Sequence, residues 1–248
     1  MLIDNNPQVW MDSAITADFL RDERWMTLVD FFVVRTPCSS CSAQGVSMQA
    51  DYKWENDVWG ASYRLEWVLN YQFSREGGET FKRVEMRQIE EAAAEEHLSE
   101  EGWQRIPASR AVFTKSNSRY GSSTTYMSLF LHLRNAFAHG RFTAIAHQGE
   151  GLYLAFEDGW TKNGDFHVNA RGVVGLDPLL SLVRIIKDGP DGSESIYSHV
   201  LDALRNGCTK KSEVQKALCL TESEWRHSIK ELHDRGLVSR AGNAWRPA

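Results

Sequence analysis

The stretch Asp188-Gly189-Pro190-Asp191-Gly192-Ser193-Glu194-Ser195 is the feature that most limits how this chain can fold. It is built from Gly, Pro and short polar or acidic residues, which continue neither a helix nor a strand. On either side lie apolar helical segments, Leu176 to Ile186 and Ile196 to Leu204. The chain is therefore expected to divide into a body over residues 1–190 and a small unit over 195–248, a split that suits 248 residues. Charge divides at the same place. Residues 195–248 carry nine Lys/Arg and six Asp/Glu, or +3, and with −5 overall this leaves −8 for the remainder. An acidic body excludes a surface coated in basic groups for unselective nucleic-acid binding, while a local basic site stays open. At 42% apolar and 25% charged residues the composition is that of a globular protein with a real core.

Within the body, Thr16 to Val34 holds Phe19, Leu20, Trp25, Leu28, Phe31 and Phe32 without Gly or Pro and reads as a buried helix, ended by Thr36-Pro37. Tyr63 to Phe73 alternates apolar and polar residues, so a half-buried strand is expected there. Ser74 to Gly78 would turn it, and Phe81 to Met86 would return as a hairpin. Glu90 to Leu98 is Ala- and Glu-rich and reads as a short solvated helix. Thr124 to Ala138 is expected to be helical, with Ser122 or Ser123 as N-cap and Gly140 as the stop. Leu152, Leu154 and Phe156 alternate before a turn at Glu157-Asp158-Gly159, and Phe166-His167-Val168 would pair back as a small ribbon.

The helix over 124–138 carries the chemistry. At ~100° per residue, Tyr126, Phe130, Leu133 and Phe137 form one apolar stripe, Met127, Leu131 and Ala138 widen it, and Arg134 projects into that widened arc. Ser128, His132, Asn135 and His139 share the polar arc. A guanidinium among apolar neighbours needs a partner or a task. Arg134 and His139 are five residues apart, about 140° on a continuous helix. Both reach one phosphate only if the helix unwinds near Ala138 or if two copies meet across a symmetric interface.

Arg134, four intervening residues and His139, with Asn135 after the Arg and Gly140 after the His, resemble the R-x4-6-H motif of the HEPN superfamily, in particular a subgroup of prokaryotic defence and mobile elements. The match covers about Thr124 to Gly140, with weaker support to Ile186. The resemblance implies a metal-independent endoribonuclease without cofactor, a toxin or anti-phage effector working as a homodimer on an RNA substrate and restrained or activated by a further component. His139 would be general acid and base, Arg134 would stabilise the charged phosphate, and Asn135 would orient the His or a phosphate. Arg141 and His132 are weaker candidates for RNA contact. For His132 a solvated surface histidine is the simpler reading. The expected fold class is mainly α, of the α+β type: a HEPN-like helical bundle with a β insertion over about 54–90 and a small C-terminal winged helix.

For the C-terminal unit the sequence predicts helices over Ile196 to Leu204, Lys211 to Leu218 and Trp225 to Asp234. The last is preceded by the capping box Thr221-Glu222-Ser223-Glu224, and a hairpin turns at Ala241-Gly242-Asn243. This order resembles a winged helix-turn-helix and implies DNA contact through Arg226, Lys230 and Arg240, or a protein partner instead. Cys38-x-x-Cys41 lacks a second ligand pair, so no metal site is expected. No leader-like segment and no apolar run of about 18 residues occur, so a cytoplasmic chain with no membrane association is expected.

Overall fold

A computed structural model describes residues 21–37, 44–54, 65, 67, 68, 71, 80–98, 108–116, 125–147 and 151–248. The first helix, α1 (Glu23–Val29), is capped by Asp22, whose carboxylate accepts from the Arg24 backbone at 2.9 Å and from its guanidinium at 2.7 Å. That fork of donors holds the Asp22 carboxyl below its usual range. The chain continues as a π-helical turn over Asp30–Val34, closed by the Arg35 amide on the Asp30 carbonyl at 2.7 Å. The wider turn brings the consecutive Phe31 and Phe32 both into the core, and it ends at Thr36-Pro37.

The strands are β1 (Thr80–Val84), β2 (Arg110–Thr114), β3 (Phe142–His147), β4 (Gly151–Lys162) and β5 (Asp165–Gly175), and they form one sheet in the order β1-β2-β5-β4-β3. Only β1 and β2 run parallel; the other pairs are antiparallel. Further described helices of the body are α2 (Ile89–Glu95), α3 (Thr125–Ala138) and α4 (Leu176–Asp188). One sheet face, with Ala111, Phe113, Leu154, Phe156 and Ala170, joins α1, α3 and α4 in the main core. The other, with Val112, Ala155 and Val173, is covered by Ile89, Ala92 and Ala93 of α2. Against α3, Phe32 stacks on Phe137 at 4.8 Å and Phe31 meets Phe130 edge-on at 6.0 Å.

Beyond Gly189, where a φ of +77° and a Tyr52 carbonyl oxygen 2.6 Å from the place of a Cβ exclude a side chain, a tight turn leads into α5 (Ile196–Arg205), capped by Ser195. Then come α6 (Lys211–Leu218), α7 (Glu222–Asp234) and the hairpin β6 (Val238–Ala241) and β7 (Ala244–Pro247). The segment 188–195 is thus a hydrogen-bonded turn, with Gly192 N–H on the Gly189 carbonyl and Ser195 N–H on that of Gly192. The main core runs on through Tyr197, Val200, Leu218 and Trp225, and the Trp67 indole donates to the Leu218 carbonyl at 3.3 Å. The architecture is α+β, and among the described residues no helix is long and apolar enough to cross a membrane.

Several expectations change. Leu65, Trp67, Val68 and Tyr71 are helical and not part of a strand. Leu65, Val68 and Tyr71 are spaced by three, and Leu65 and Val68 are buried, a helical face that the alternation of the flanking residues hides. The rest of the expected insertion over 54–90 lies largely outside the described residues. Thr80–Val84 is not the return of a hairpin but pairs in parallel with β2, some thirty residues downstream in register (Thr80 with Arg110). Glu157-Asp158-Gly159 is no turn: β4 runs through it to Lys162, and the chain reverses at Asn163-Gly164, both with positive φ. Gly159 is there for close approach, since a Cβ would lie 2.5 Å from the Phe166 ring.

Candidate active site

The chemistry-bearing helix α3 is buried almost all round from Met127 to Leu133 and again at Ala136 and Phe137. From Ser128 to Asn135 its polar arc lies against β2 and β4, and Ser128, His132 and Asn135 each have a partner there. Ser128 Oγ accepts from the Ser116 amide at 3.3 Å. His132, 4% exposed, contacts Asp158 Oδ2 through Nδ1 at 2.7 Å and the Thr114 carbonyl through Nε2 at 3.0 Å. Asn135 Nδ2 donates to the same Asp158 oxygen at 3.2 Å, and Asn135 Oδ1 accepts from Arg134 Nη1 at 3.1 Å.

These bonds form a relay from Thr114 through His132, Asp158 and Asn135 to Arg134. A carbonyl can only accept, so Nε2 of His132 must carry a proton. The short bond to Asp158 needs another. The buried His132 and Asp158 therefore share two protons and are together neutral, either as imidazolium with carboxylate or as imidazole with carboxylic acid. Pairing and hydrogen bonding are what let a histidine and an aspartate stay inside. His132 is accordingly not the solvated, RNA-contacting residue that its place on the polar arc suggests, because the unbroken strand β4 brings Asp158 underneath it. Asn135 has both amide atoms engaged within the chain, so it orients Arg134 and not His139.

At the end of α3 the His139 amide still bonds the Asn135 carbonyl at 2.9 Å. Gly140 then turns left-handed at φ +64°, with its amide on Phe137 and the Arg141 amide on Ala136. That is the Schellman closure a helix uses when Gly follows its last residues. The helix therefore does not unwind before His139. Arg134 is half-buried, His139 is exposed at the rim, and the two point well apart on one chain. Arg141 starts the return into β3; its carbonyl accepts from the Glu157 amide and its guanidinium lies 4.0 Å over the Phe166 ring.

Sequence reasoning missed Asp158, and the signal for it was present. Leu152, Leu154 and Phe156 alternate, and Asp158 continues the phase inward; the letters Glu-Asp-Gly read as a turn concealed it. Its neighbour Glu157 points to the other sheet face and pairs with Arg171 across the register of β4 and β5, both residues 2% exposed, with Nε of Arg171 at 2.7 Å.

The candidate DNA-contacting residues lie far from this relay in sequence. Arg226 Nε donates to Glu222 at 2.8 Å, Lys211 also pairs with Glu222, Arg240 Nε donates to the Gly242 carbonyl at 3.1 Å, and Lys230 is exposed. Lys211, and after it Arg226, hold the Glu222 carboxyl below the usual range. Cys38 and Cys41 lie outside the described residues. Among the described residues no three His, Cys, Asp or Glu side chains are grouped as a metal ion would need. No protein-family model, no curated protein and no solved structure matches the chain.

Proposed function

We propose that the chain is a HEPN-type, metal-independent endoribonuclease, a toxin or anti-phage effector whose active site is shared between two copies. The observation that supports this best is the pairing of a positioned Arg134 with an exposed His139 at the capped end of one helix. Buried groups orient the guanidinium, whereas the imidazole stands in solvent at the helix rim and points away from it. That α3 stays helical through Ala138 supports a site shared between chains, since the two groups then point apart on one chain and, in this reading, a second copy of the helix end supplies the complement.

In this reading His139 of one copy removes the proton of a ribose 2'-hydroxyl, and the resulting oxygen attacks the adjacent phosphorus. Arg134 of the other copy donates from its planar guanidinium to the phosphate oxygens as charge builds on them. A protonated imidazole returns its proton to the leaving 5'-oxygen, giving a 2',3'-cyclic phosphate and a 5'-hydroxyl. Asn135 and Asp158 act through Arg134 and are positioning residues.

The test is cleavage of RNA in EDTA. His139→Ala and Arg134→Ala are each expected to lower the rate at least ~100-fold, the usual size of an acid–base or charge-stabilising contribution. Unchanged cleavage in both variants would sink the reading. Mixing the two inactive variants should restore roughly a quarter of wild-type activity, since half the dimers are mixed and one of their two sites is complete.

A second reading treats the C-terminal segment as a winged helix that binds DNA or a protein, the body serving as a non-catalytic dimer. The order of three helices and a hairpin, with Arg226, Lys230 and Arg240 all exposed, favours it. Salt-dependent duplex binding lost with Arg226→Ala and Lys230→Ala, together with no RNA cleavage, would replace the first reading with this one.

A further inference from the structure

Among the described residues, β4 and β5 outrun their neighbours beyond the relay. Pairing with β3 stops at Phe142 and Phe156, and pairing with β2 at Phe113 and Ala170, whereas β4 and β5 stay paired as far as Lys162 and Asp165. The last rungs form a two-stranded arm with aromatic rings on both faces. On one face Trp160 stands opposite His167 in register, and the rings stack at 4.5 Å between centroids with 25° between planes. On the other, Phe166 lies beneath the Arg141 guanidinium. Trp160 is 44% exposed, an unusual place for so large an apolar ring. Along β4 it follows Asp158 by two residues, about 7 Å, across a register shift between Asp158 and Gly159, and Asp158 bonds the Asn135 that holds Arg134.

From these observations we infer that the Trp160 and His167 pair is a base-stacking platform for single-stranded RNA, seating a nucleotide next to the phosphate that Arg134 receives; this rests on the ribonuclease reading. An exposed ring already stacked on a second ring presents a flat face that any unpaired base can cover, with the exposed Lys162 at the end of the same arm to meet the backbone. A closed duplex offers no free base face to such an arm. The occupant is therefore an unpaired strand.

The probe is a 2'-O-methyl oligoadenylate of about ten nucleotides, a length within the usual site size for a single strand, which cannot be cut because the attacking hydroxyl is blocked. Trp160→Ala is expected to weaken its binding to the full-length protein by about 10-fold or more, the usual worth of one stacked base, while Trp160→Phe keeps most of the affinity. Unfolding midpoints check that both variants are folded. Binding of the annealed duplex should not respond to either substitution. Equal affinity of wild type and Trp160→Ala, no binding by wild type, or a change only in oligomeric state would overturn the platform, the last by assigning the arm to a second copy. Since no cleavage is read, a protein that binds through Trp160 but cuts nothing would refute the nuclease and leave the platform standing.

Discussion

In the body, Glu157 and Asp158 are 2% and 4% exposed and bond to Arg171 and to the His132 and Asn135 pair; in the C-terminal helices, Glu222 and Glu231 meet Arg226 and Arg235 one helical turn away, in water. The first pairs connect different elements, the second pairs adjoining turns of one helix. Buried partners are held by the fold and in turn hold it. Removing one of them leaves the other charged and desolvated, whereas an exposed pair competes with solvent and contributes little.

The comparison breaks most easily at Arg171. Glu157→Ala is expected to destabilise the protein by about 3–5 kcal/mol, the range for a buried charge left without its partner, read as a shift of the urea midpoint. The double variant Glu157→Leu with Arg171→Met should recover most of that loss, and a double variant as unstable as the single one would show that the site needs the ions themselves. Asp158→Asn should cost less, about 1–3 kcal/mol, because an amide oxygen can still accept from His132 while the shared proton is lost. The same variant is expected to slow RNA cleavage through a loosened Arg134.

Smaller effects belong to the C-terminal segment. Thr221 Oγ accepts from the Glu224 amide at 3.3 Å and the Glu224 carboxylate returns to the Thr221 amide at 2.7 Å, so Thr221→Ala removes a cap worth ~1 kcal/mol. Smallest is Glu222. With its carboxyl held below the usual range by Lys211, its contribution is present above the unfolded value and is lost as pH falls through the folded one. Wild type and Glu222→Gln should differ slightly in unfolding midpoint at neutral pH and converge below the ordinary carboxylate range.

The same contrast decides what can be read from the letters. Glu222–Asp234, the end of α5 and the hairpin over 238–247 announce themselves through signals a few residues away: the Thr221 capping box, Gly207 after α5 and Gly242 at φ +62°. The helix over 125–138 is equally legible, with its breakerless run and its terminal glycine. What failed depends on distant partners. Nothing near Phe81 says that its strand pairs in parallel with Ala111, and nothing near Glu157 says that Arg171 and His132 are waiting for carboxylates. Of the site, Arg134, Asn135 and His139 stood out from the residue pattern; Asp158 continues the alternation of Leu154 and Phe156, but the burial of His132 follows only once β4 is known to extend past Glu157.

The strand order has a consequence for how the molecule comes together. Residues 125–175 supply α3 and the meander β3-β4-β5 with short connections, and every group of the relay except the Thr114 carbonyl comes from that stretch. The segment made earlier, β1 and β2, finds its place only when β5 exists, since β2 pairs with residues about sixty positions further on. Local contacts form before such distant ones. Pulse-labelled exchange is thus expected to protect the amides of β3 to β5 first and those of β1 last, so that a nascent chain would acquire the framework of the Arg134 relay before the opposite edge of its sheet has closed.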